Sequence, residues 1–185
     1  MLHFPRRQFL KITGGFVVGA ATVGSISLIN NLRAYANAII TLKCLGNQKG
    51  PRFLDGRTFN GTVGLAPSTR GGFTGTRWEF VFDINQAIVV LRCLGDQKGP
   101  RFLDGRTFNG TVGLAPSTGG GFTGTRWEVD DNGTDGRIIT LKCKGDQKGP
   151  RFLDGRTFNG TVGLAPSTGG GFTGTRWEIG VVGKT

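Results

Sequence analysis

The feature that most constrains this chain is a 34-residue segment that occurs three times. It reads GDQKGPRFLDGRTFNGTVGLAPSTGGGFTGTRWE at residues 95–128 and recurs without change at residues 145–178. Residues 46–79 repeat it with two differences, Asn47 for Asp and Arg70 for Gly. Units of this length cannot bury an apolar face alone, so a stable fold requires all three. With their apolar lead-ins, the units span residues 39–79, 88–128 and 138–178.

Each unit is predicted to form four short β-strands. In the second unit, residues 87–93 are β-branched and apolar, and Val89, Leu91 and Cys93 share one face. Further strands are expected at residues 101–104, 111–115 and 125–129. The dipeptide at 109–110, Asn-Gly, predicts a tight two-residue hairpin turn, because both residues accept a positive φ. No helical period is sustained after residue 36, so the fold class is all-β. Three four-stranded repeats with pseudo-threefold symmetry predict a β-trefoil, a six-stranded barrel capped by three hairpins.

Symmetry also predicts which side chains form the core. The expected set is Leu42, Leu54, Val63, Leu65 and Trp78, with their counterparts in the other units. The three cysteines occupy one equivalent position, at Cys44, Cys93 and Cys143. They could approach one another and bind a metal, but a small buried apolar role is favoured, so no metal site is expected. Their odd number excludes a complete disulfide framework.

The first 36 residues differ in character from the rest. Arg6-Arg7 precedes a glycine-diluted apolar run at residues 12–29, and Ala34-Tyr35-Ala36 offers a cleavage site, with Ala36-Asn37-Ala38 as a second choice. This order is typical of an export signal, and the paired arginines resemble a twin-arginine signal. The alternative is an uncleaved membrane anchor. We therefore expect a signal at 1–36 and, in a bacterial-type host, a periplasmic or secreted domain at 37–185.

Charge and histidine content narrow the function. Cleavage after Ala36 removes four of the 23 basic residues and none of the 12 acidic ones, so the formal net charge falls from +11 to +7. This balance favours anionic partners, or simply provides a solvated basic surface. The single histidine, His3, lies in the predicted signal, which excludes Ser-His-Asp and Cys-His catalysis from the remaining chain. We expect neither enzymatic activity nor a cofactor.

Each unit carries Phe-Leu-Asp-Gly, then Asn-Gly-Thr-Val-Gly-Leu, then a Trp thirteen residues later. This pattern resembles the ricin-B-type β-trefoil lectin repeat and, more loosely, agglutinin-like trefoils. The resemblance implies that the Asp accepts hydrogen bonds from sugar hydroxyls. Two family features are absent: the Leu-Trp platform reads Leu65-Ala66, and Gln-x-Trp reads Thr76-Arg77-Trp78. A galactose site of the usual construction is therefore not expected.

The candidate carbohydrate-binding residues are one carboxylate and one amide per unit: Asp55, Asn60, Asp104, Asn109, Asp154 and Asn159. Sugar sites combine such polar groups with an aromatic face. That face would come from one of two sets, Phe59, Phe108 and Phe158 or Phe73, Phe122 and Phe172. A basic patch of Arg57, Arg106 and Arg156, helped by Lys49, Arg52 and Arg77 with their copies, would suit an anionic glycan. The alternative is that Asp pairs with Arg and that Asp and Asn hold turns.

Two functions follow from these features. The first is an exported, monomeric, lectin-like module whose three equivalent weak sites bind an extracellular or cell-envelope glycan by avidity. The second is a protein-interaction or inhibitor β-trefoil that acts through the non-repeated spacers, residues 80–86 and 130–137. Nucleic acid is not an expected partner, because aromatic and basic residues are little interleaved. A membrane contact is expected only through an uncleaved signal.

Overall fold

The computed structural model describes residues 35–83, 88–131, 134 and 136–184. The predicted signal lies outside the described residues apart from Tyr35 and Ala36, and so does part of each spacer. Three single-turn 3-10 helices lie at Thr74–Thr76, Thr123–Thr125 and Thr173–Thr175. The described strands are β1 (Ala38–Cys44), β2 (Phe53–Arg57), β3 (Thr62–Ala66), β4 (Trp78–Asp83), β5 (Ile88–Cys93), β6 (Phe102–Arg106), β7 (Thr111–Ala115), β8 (Trp127–Asp130), β9 (Ile138–Cys143), β10 (Phe152–Arg156), β11 (Thr161–Ala165) and β12 (Trp177–Lys184).

These strands belong to one antiparallel sheet that closes on itself. Closure runs through the pairings β1–β4, β4–β5, β5–β8, β8–β9, β9–β12 and β12–β1. The two middle strands of each unit form a hairpin, and β3, β7 and β11 pair with one another. Single bridging pairs, such as Lys43 with Phe53, join each hairpin to the first strand of its own unit. The threefold repeat in sequence is therefore a threefold repeat in strand pairing.

The prediction of an all-β chain with four strands per unit is confirmed, but the prediction of a β-trefoil is wrong. That prediction treated the hairpins as three caps set on a six-stranded barrel. In the structure the hairpins are hydrogen-bonded to the neighbouring strands and to one another, so the protein is a closed antiparallel β-barrel with repeated strand units. The bridges that make the sheet continuous involve single residues, Lys43 and Phe53 in the first unit. Neither a turn motif nor a periodicity marks such positions in the sequence.

The core consists largely of the predicted residues. Leu42, Leu54 and Trp78 are fully buried, and Leu65 is nearly so. Val63 is the exception, because it is half-buried and packs against the edge of the core. The Trp78 indole Nε1 donates a hydrogen bond to the Leu54 carbonyl oxygen at 3.0 Å, and the other two units repeat this bond. Each large aromatic group thus buries its apolar surface while its N–H is satisfied.

The hairpin turns are longer than predicted. In the second unit the last paired residues are Arg106 and Thr111, so four residues form the turn instead of two. Gly110 has a φ of +73°, whereas Asn109 does not take a positive φ. Asn109 Oδ1 instead accepts hydrogen bonds from the Thr111 backbone N–H at 3.1 Å and from its hydroxyl at 2.8 Å. The asparagine side chain closes the turn, so a second residue with positive φ is not required.

The three cysteines are free and fully buried, which agrees with the favoured interpretation of small buried residues. The Cys44 thiol donates to the Gly155 carbonyl at 3.3 Å, and Cys93 and Cys143 donate to the equivalent carbonyls of Gly56 and Gly105. Each thiol therefore joins its own unit to the hairpin of another. An added Cβ at Gly155 would lie 2.7 Å from the Cys44 sulfur, which explains the glycine inside this strand.

Candidate functional site

Three equivalent surface sites lie beside the hairpins. We define site A by Asp55, Arg57 and Phe59, site B by Asp104, Arg106 and Phe108, and site C by Asp154, Arg156 and Phe158. In sites B and C the three side chains line one open cavity, with volumes of about 680 Å³ and about 520 Å³. The structure therefore brings the predicted carboxylate, the predicted arginine and one of the two proposed phenylalanine sets together.

Each of these cavities lies between two units. Site C takes its hairpin from the third unit and its opposite wall, Asn47 and Gln48, from the first. Site B combines the hairpin of the second unit with Asp146 and Gln147 of the third. The Thr157 hydroxyl donates to the Gln48 carbonyl at 2.9 Å, and Thr107 makes the same bond to Gln147 at 2.8 Å. The sites therefore depend on correct association of the units.

The carboxylate at the base of each site is nearly buried. Asp55, Asp104 and Asp154 are only 7–8% exposed. Burial raises the pKa of each carboxyl group above its usual value, although the neighbouring arginine acts to lower that pKa. The Arg57 Nε lies 3.9 Å from Asp55 Oδ2, and the other two pairs have the same separation. A long, half-exposed ion pair of this kind compensates little for desolvation. Buried charge that destabilises a fold is characteristic of functional positions.

Tight packing fixes the position of this carboxylate. In site B, Gly124 in the 3-10 turn lies directly against the Gly105 carbonyl, and an added Cβ would lie 2.6 Å from Asp104 Oδ1. Gly75 and Gly174 have the same surroundings in the other units. A glycine is therefore required here for close approach, and the Asp side chain is held between the hairpin and the turn.

The aromatic side of each site is exposed. Phe59, Phe108 and Phe158 are 66–67% exposed and are the most exposed large hydrophobic side chains described. Of the other proposed set, Phe122 also borders site B, but it is half-buried. The structure thus identifies the hairpin phenylalanines as the available ring faces, a distinction that the sequence left open.

The predicted asparagines lie outside the cavities that the structure describes. Asn60 and Asn159 accept hydrogen bonds from Thr62 and Thr161 as Asn109 does from Thr111, so all three close hairpin turns. Arg52 and its equivalents are also structural. In the second unit, Arg101 donates to the carbonyl oxygens of Cys93, Gly95 and Gln97 at 2.8–3.1 Å. These arginines hold the loop that forms the far wall of a site.

The residues of the far wall were not anticipated from the sequence. Asn47, Asp146, Gln48 and Gln147 come from the turn after the first strand of a neighbouring unit, and only the three-dimensional association places them at a site. One signal was present: residue 47 is one of the two positions at which the repeats differ. Among the described residues, no group of three or more His, Cys, Asp or Glu side chains could hold a metal ion.

The fold and these sites define an all-β barrel with repeated surface sites, of which site B and site C form open cavities. No family model matches the chain, and no curated protein matches it. Solved structures do. A salivary protein from Culex quiquefasciatus of the Cysteine and Tryptophan-Rich family has a TM-score of 0.53 at 16% identity, and the match covers 77% of this chain and 92% of that one.

Two further structures share the fold. Cry35Ab1 matches with a TM-score of 0.57 at 10% identity, over 81% of this chain and 37% of that one. A mosquitocidal holotoxin matches with a TM-score of 0.52 at 15% identity, over 80% of this chain and 17% of the toxin. The present chain thus spans well under half of these two proteins. At such identities the likeness shows the fold alone.

The expected resemblance to ricin-B-type lectins is corrected by these comparisons. The matching structures are a salivary protein, Cry35Ab1 and a mosquitocidal holotoxin, and the barrel they share replaces the predicted ricin-B-type trefoil. Short motifs such as Leu-Asp and Asn-Gly suggested that family. In the structure, however, the Asn-Gly of each unit closes a hairpin turn, which many β-proteins require for purely local reasons. None of the helices in the described part of the chain is long and apolar enough to cross a membrane.

Proposed function

We propose that this protein is an exported, non-enzymatic, monomeric carbohydrate-binding module with three sites. One observation carries the proposal: in sites B and C, a phenylalanine about two-thirds exposed, a nearly buried carboxylate and an arginine line the same open cavity. Exposing an aromatic ring and burying a charge both destabilise a folded protein. Their juxtaposition at equivalent positions of each unit supports a binding role.

The chemistry of the site suits a pyranose ring. The apolar face of the sugar would stack on Phe158, which removes apolar area of both from water. A hydroxyl group on the ring edge would donate to Asp154, because an ionised carboxylate only accepts hydrogen bonds. Arg156 would donate to a hydroxyl or ring oxygen. Site A and site B would bind in the same manner, and a polymer that occupies several sites would gain from avidity.

Export remains part of the proposal. The order of Arg6-Arg7, an apolar segment and Ala34-Tyr35-Ala36 supports a twin-arginine signal. Expression in a bacterial host, followed by fractionation and mass measurement of the product, tests this point. A mass that corresponds to a start at Asn37 or Ile39 is expected outside the cytoplasm, and conversion of both arginines to lysine should retain the protein inside. Export of the lysine variant would contradict the proposed route.

A glycan and polysaccharide array is the direct test of binding. The protein should be applied at about 50 mM and about 500 mM salt, because screening separates charge-driven binding from stacking and hydrogen bonding. The comparison variant carries alanine at Phe59, Phe108 and Phe158. A matched control carries alanine at Val181 and Val182, which are 60% and 55% exposed but lie outside the three sites.

We expect binding to neutral glycans that survives high salt, is lost in the phenylalanine variant and is unchanged in the valine variant. Binding only to anionic glycans at low salt would shift the role to the arginine patch. A blank array with folded protein would overturn the proposal and favour the alternative, a protein partner recognised through the spacers. The chain length of a bound polysaccharide should not change on prolonged incubation, as expected for a protein without catalysis.

A further inference from the structure

Sites B and C provide a comparison that is built into the molecule. Their hairpin residues come from segments of identical sequence, 95–128 and 145–178. The far walls differ in one side chain: Asp146 lines site B, whereas Asn47 lines site C. The neighbouring Gln147 and Gln48 are the same residue type. Phe122 adds an apolar edge to site B that Phe172 does not add to site C, but the charged lining of the two cavities differs only at residues 146 and 47.

The hydrogen bonds at this position leave different groups free. In site B, the Thr123 hydroxyl accepts from the Asp146 backbone N–H at 3.3 Å and donates to Asp146 Oδ1 at 2.9 Å. In site C, Thr173 makes the same two bonds to Asn47, at 3.3 Å and 3.0 Å. The Thr173 hydroxyl donates to the amide oxygen of Asn47, as the Thr123 hydroxyl donates to one carboxylate oxygen of Asp146. The remaining atom is a carboxylate oxygen in site B and an amide NH₂ in site C.

The net charge of the lining side chains is also more negative in site B than in site C. Asp154 and Arg156 carry opposite charges in site C, and Asn47 adds none. Site B contains the equivalent pair, Asp104 and Arg106, together with the charge of Asp146. The wall of site B therefore accepts hydrogen bonds and repels anions, whereas the wall of site C donates hydrogen bonds and leaves the cavity neutral.

We infer that Asn47 determines specificity and that site C accepts an acidic sugar, a hexuronic acid, whereas site B selects the neutral sugar. The inference rests on the proposed carbohydrate-binding function and goes beyond it by making the three sites unequal. A carboxylate on the sugar would receive hydrogen bonds from the Asn47 amide. At site B the same carboxylate would meet Asp146. Such a protein would bind a heteropolysaccharide that contains both neutral sugars and hexuronic acids more tightly than a polysaccharide that contains only one of them.

Two single-site proteins test the inference. Replacement of Phe59 and Phe108 by alanine leaves only site C intact, and replacement of Phe59 and Phe158 leaves only site B. The probes are the methyl glycosides of galactose and galacturonic acid, and those of glucose and glucuronic acid, titrated at about 50 mM salt and followed by NMR. We expect the ratio of acid to neutral affinity to be roughly five- to tenfold higher in the site C protein, as estimated for one partly screened charge.

Exchange of the wall residue provides the decisive comparison. Asn47→Asp in the site C protein should lower the acid-to-neutral ratio to that of site B, and Asp146→Asn in the site B protein should raise it. Asn47→Asp in the site B protein is the matched control and should change nothing. Equal ratios in both single-site proteins, or ratios unaffected by the exchange, would overturn the inference while leaving the proposed function intact. Failure of both proteins to bind any of the four glycosides would overturn both.

Discussion

Asp154 and Phe158 are four residues apart and line the same cavity, yet Asp154 is 7% exposed and Phe158 is 67% exposed. This is the reverse of the usual distribution, in which the ring is buried and the charge is solvated. The hairpin between β10 and β11 produces it, because Asp154 lies within the strand and Phe158 lies in the turn. The two other units repeat the arrangement. Because the arrangement does not favour stability, it is the observation on which the proposed binding role rests.

The exposed phenylalanines should affect binding and leave stability unchanged. Replacement of Phe158 alone by alanine removes one stacking face worth about 1 kcal/mol, so binding to a multivalent glycan should weaken about fivefold. Replacement of all three should abolish it, because avidity is lost together with the stacking. Surface plasmon resonance on immobilised polysaccharide measures both effects.

Urea unfolding supplies the control for this experiment. A side chain that is two-thirds exposed contributes little to the folded state, so each alanine variant should keep its free energy of unfolding within about 0.5 kcal/mol. If the single variant loses as much binding as the triple variant, the sites do not act as three independent contributors.

The three buried carboxylates should contribute less to the stability of the fold at neutral pH than in mild acid. Burial raises the pKa of Asp55, Asp104 and Asp154 above its ordinary value of 3.8. The folded state therefore binds these protons more tightly than the unfolded state. Their stabilising contribution is complete below pH 3.8 and is lost as the pH rises through the higher pKa of the folded state. The triple Asp→Asn variant should thus unfold at higher urea concentration than the wild type at pH 7, and the difference should shrink towards pH 4.

The same variant should lose glycan binding, because an amide does not replace the acceptor charge of the carboxylate. Asp83→Asn, compared with Asp104→Asn alone, is the matched control, since each change removes one negative charge and Asp83 is exposed and lies outside the three sites. It should alter stability only slightly at either pH. Lower stability of the triple variant at pH 7 would mean that the ion pairs with arginine outweigh the desolvation of the carboxylates.

The sequence was sufficient for the strands and for most of the core. Strand β7 begins and ends where alternation and Pro116 predict, and Leu54 and Trp78 are buried as threefold repetition requires. Local pattern determines such features, because each strand must hide one face. The overall barrel was predicted incorrectly. Bridges such as the pair of Lys43 with Phe53 join elements through single residues, and nothing in their local sequence distinguishes them.

Of the candidate site, the sequence predicted only the residues that one strand and its hairpin contribute. Asp104 and Arg106 belong to one strand, so spacing alone placed them together. Gln147 reaches the same cavity from the next unit, and its partner in the structure is Thr107. A contact between units depends on how the units associate, which the repeat does not encode locally. Asn109 closes a hairpin turn, and its role in binding stays a prediction, because Asn-Gly serves a turn and a ligand site equally well.

Gly124, the glycine of the 3-10 turn that lies against Asp104, should tolerate no side chain. An alanine Cβ at Gly124 would collide with the Gly105 carbonyl and lie 2.6 Å from Asp104 Oδ1. Gly124→Ala should therefore lower the free energy of unfolding by about 2–3 kcal/mol and weaken binding at site B. Gly119→Ala is the matched control, because nothing lies within 4 Å of its added Cβ. Urea denaturation of the two variants should separate them clearly, and equal stability would contradict this account of the packing.

The three cysteines should be unreactive in the folded protein. Burial raises the pKa of all three thiols, that of Cys93 to about 11, and each thiol donates to a glycine carbonyl. At pH 8 only about one thiol in a thousand would be ionised at such a pKa, and the sulfur is also shielded from solvent. Ellman's reagent should therefore label the native protein no faster than the protein unfolds. In about 8 M urea, which fully denatures most domains, the thiols should react at once. A native labelling rate that exceeds the rate of global unfolding would show that a cysteine is reached without unfolding of the whole domain. A contact between a strand and a hairpin, such as that between Cys93 and Gly56, would then open locally.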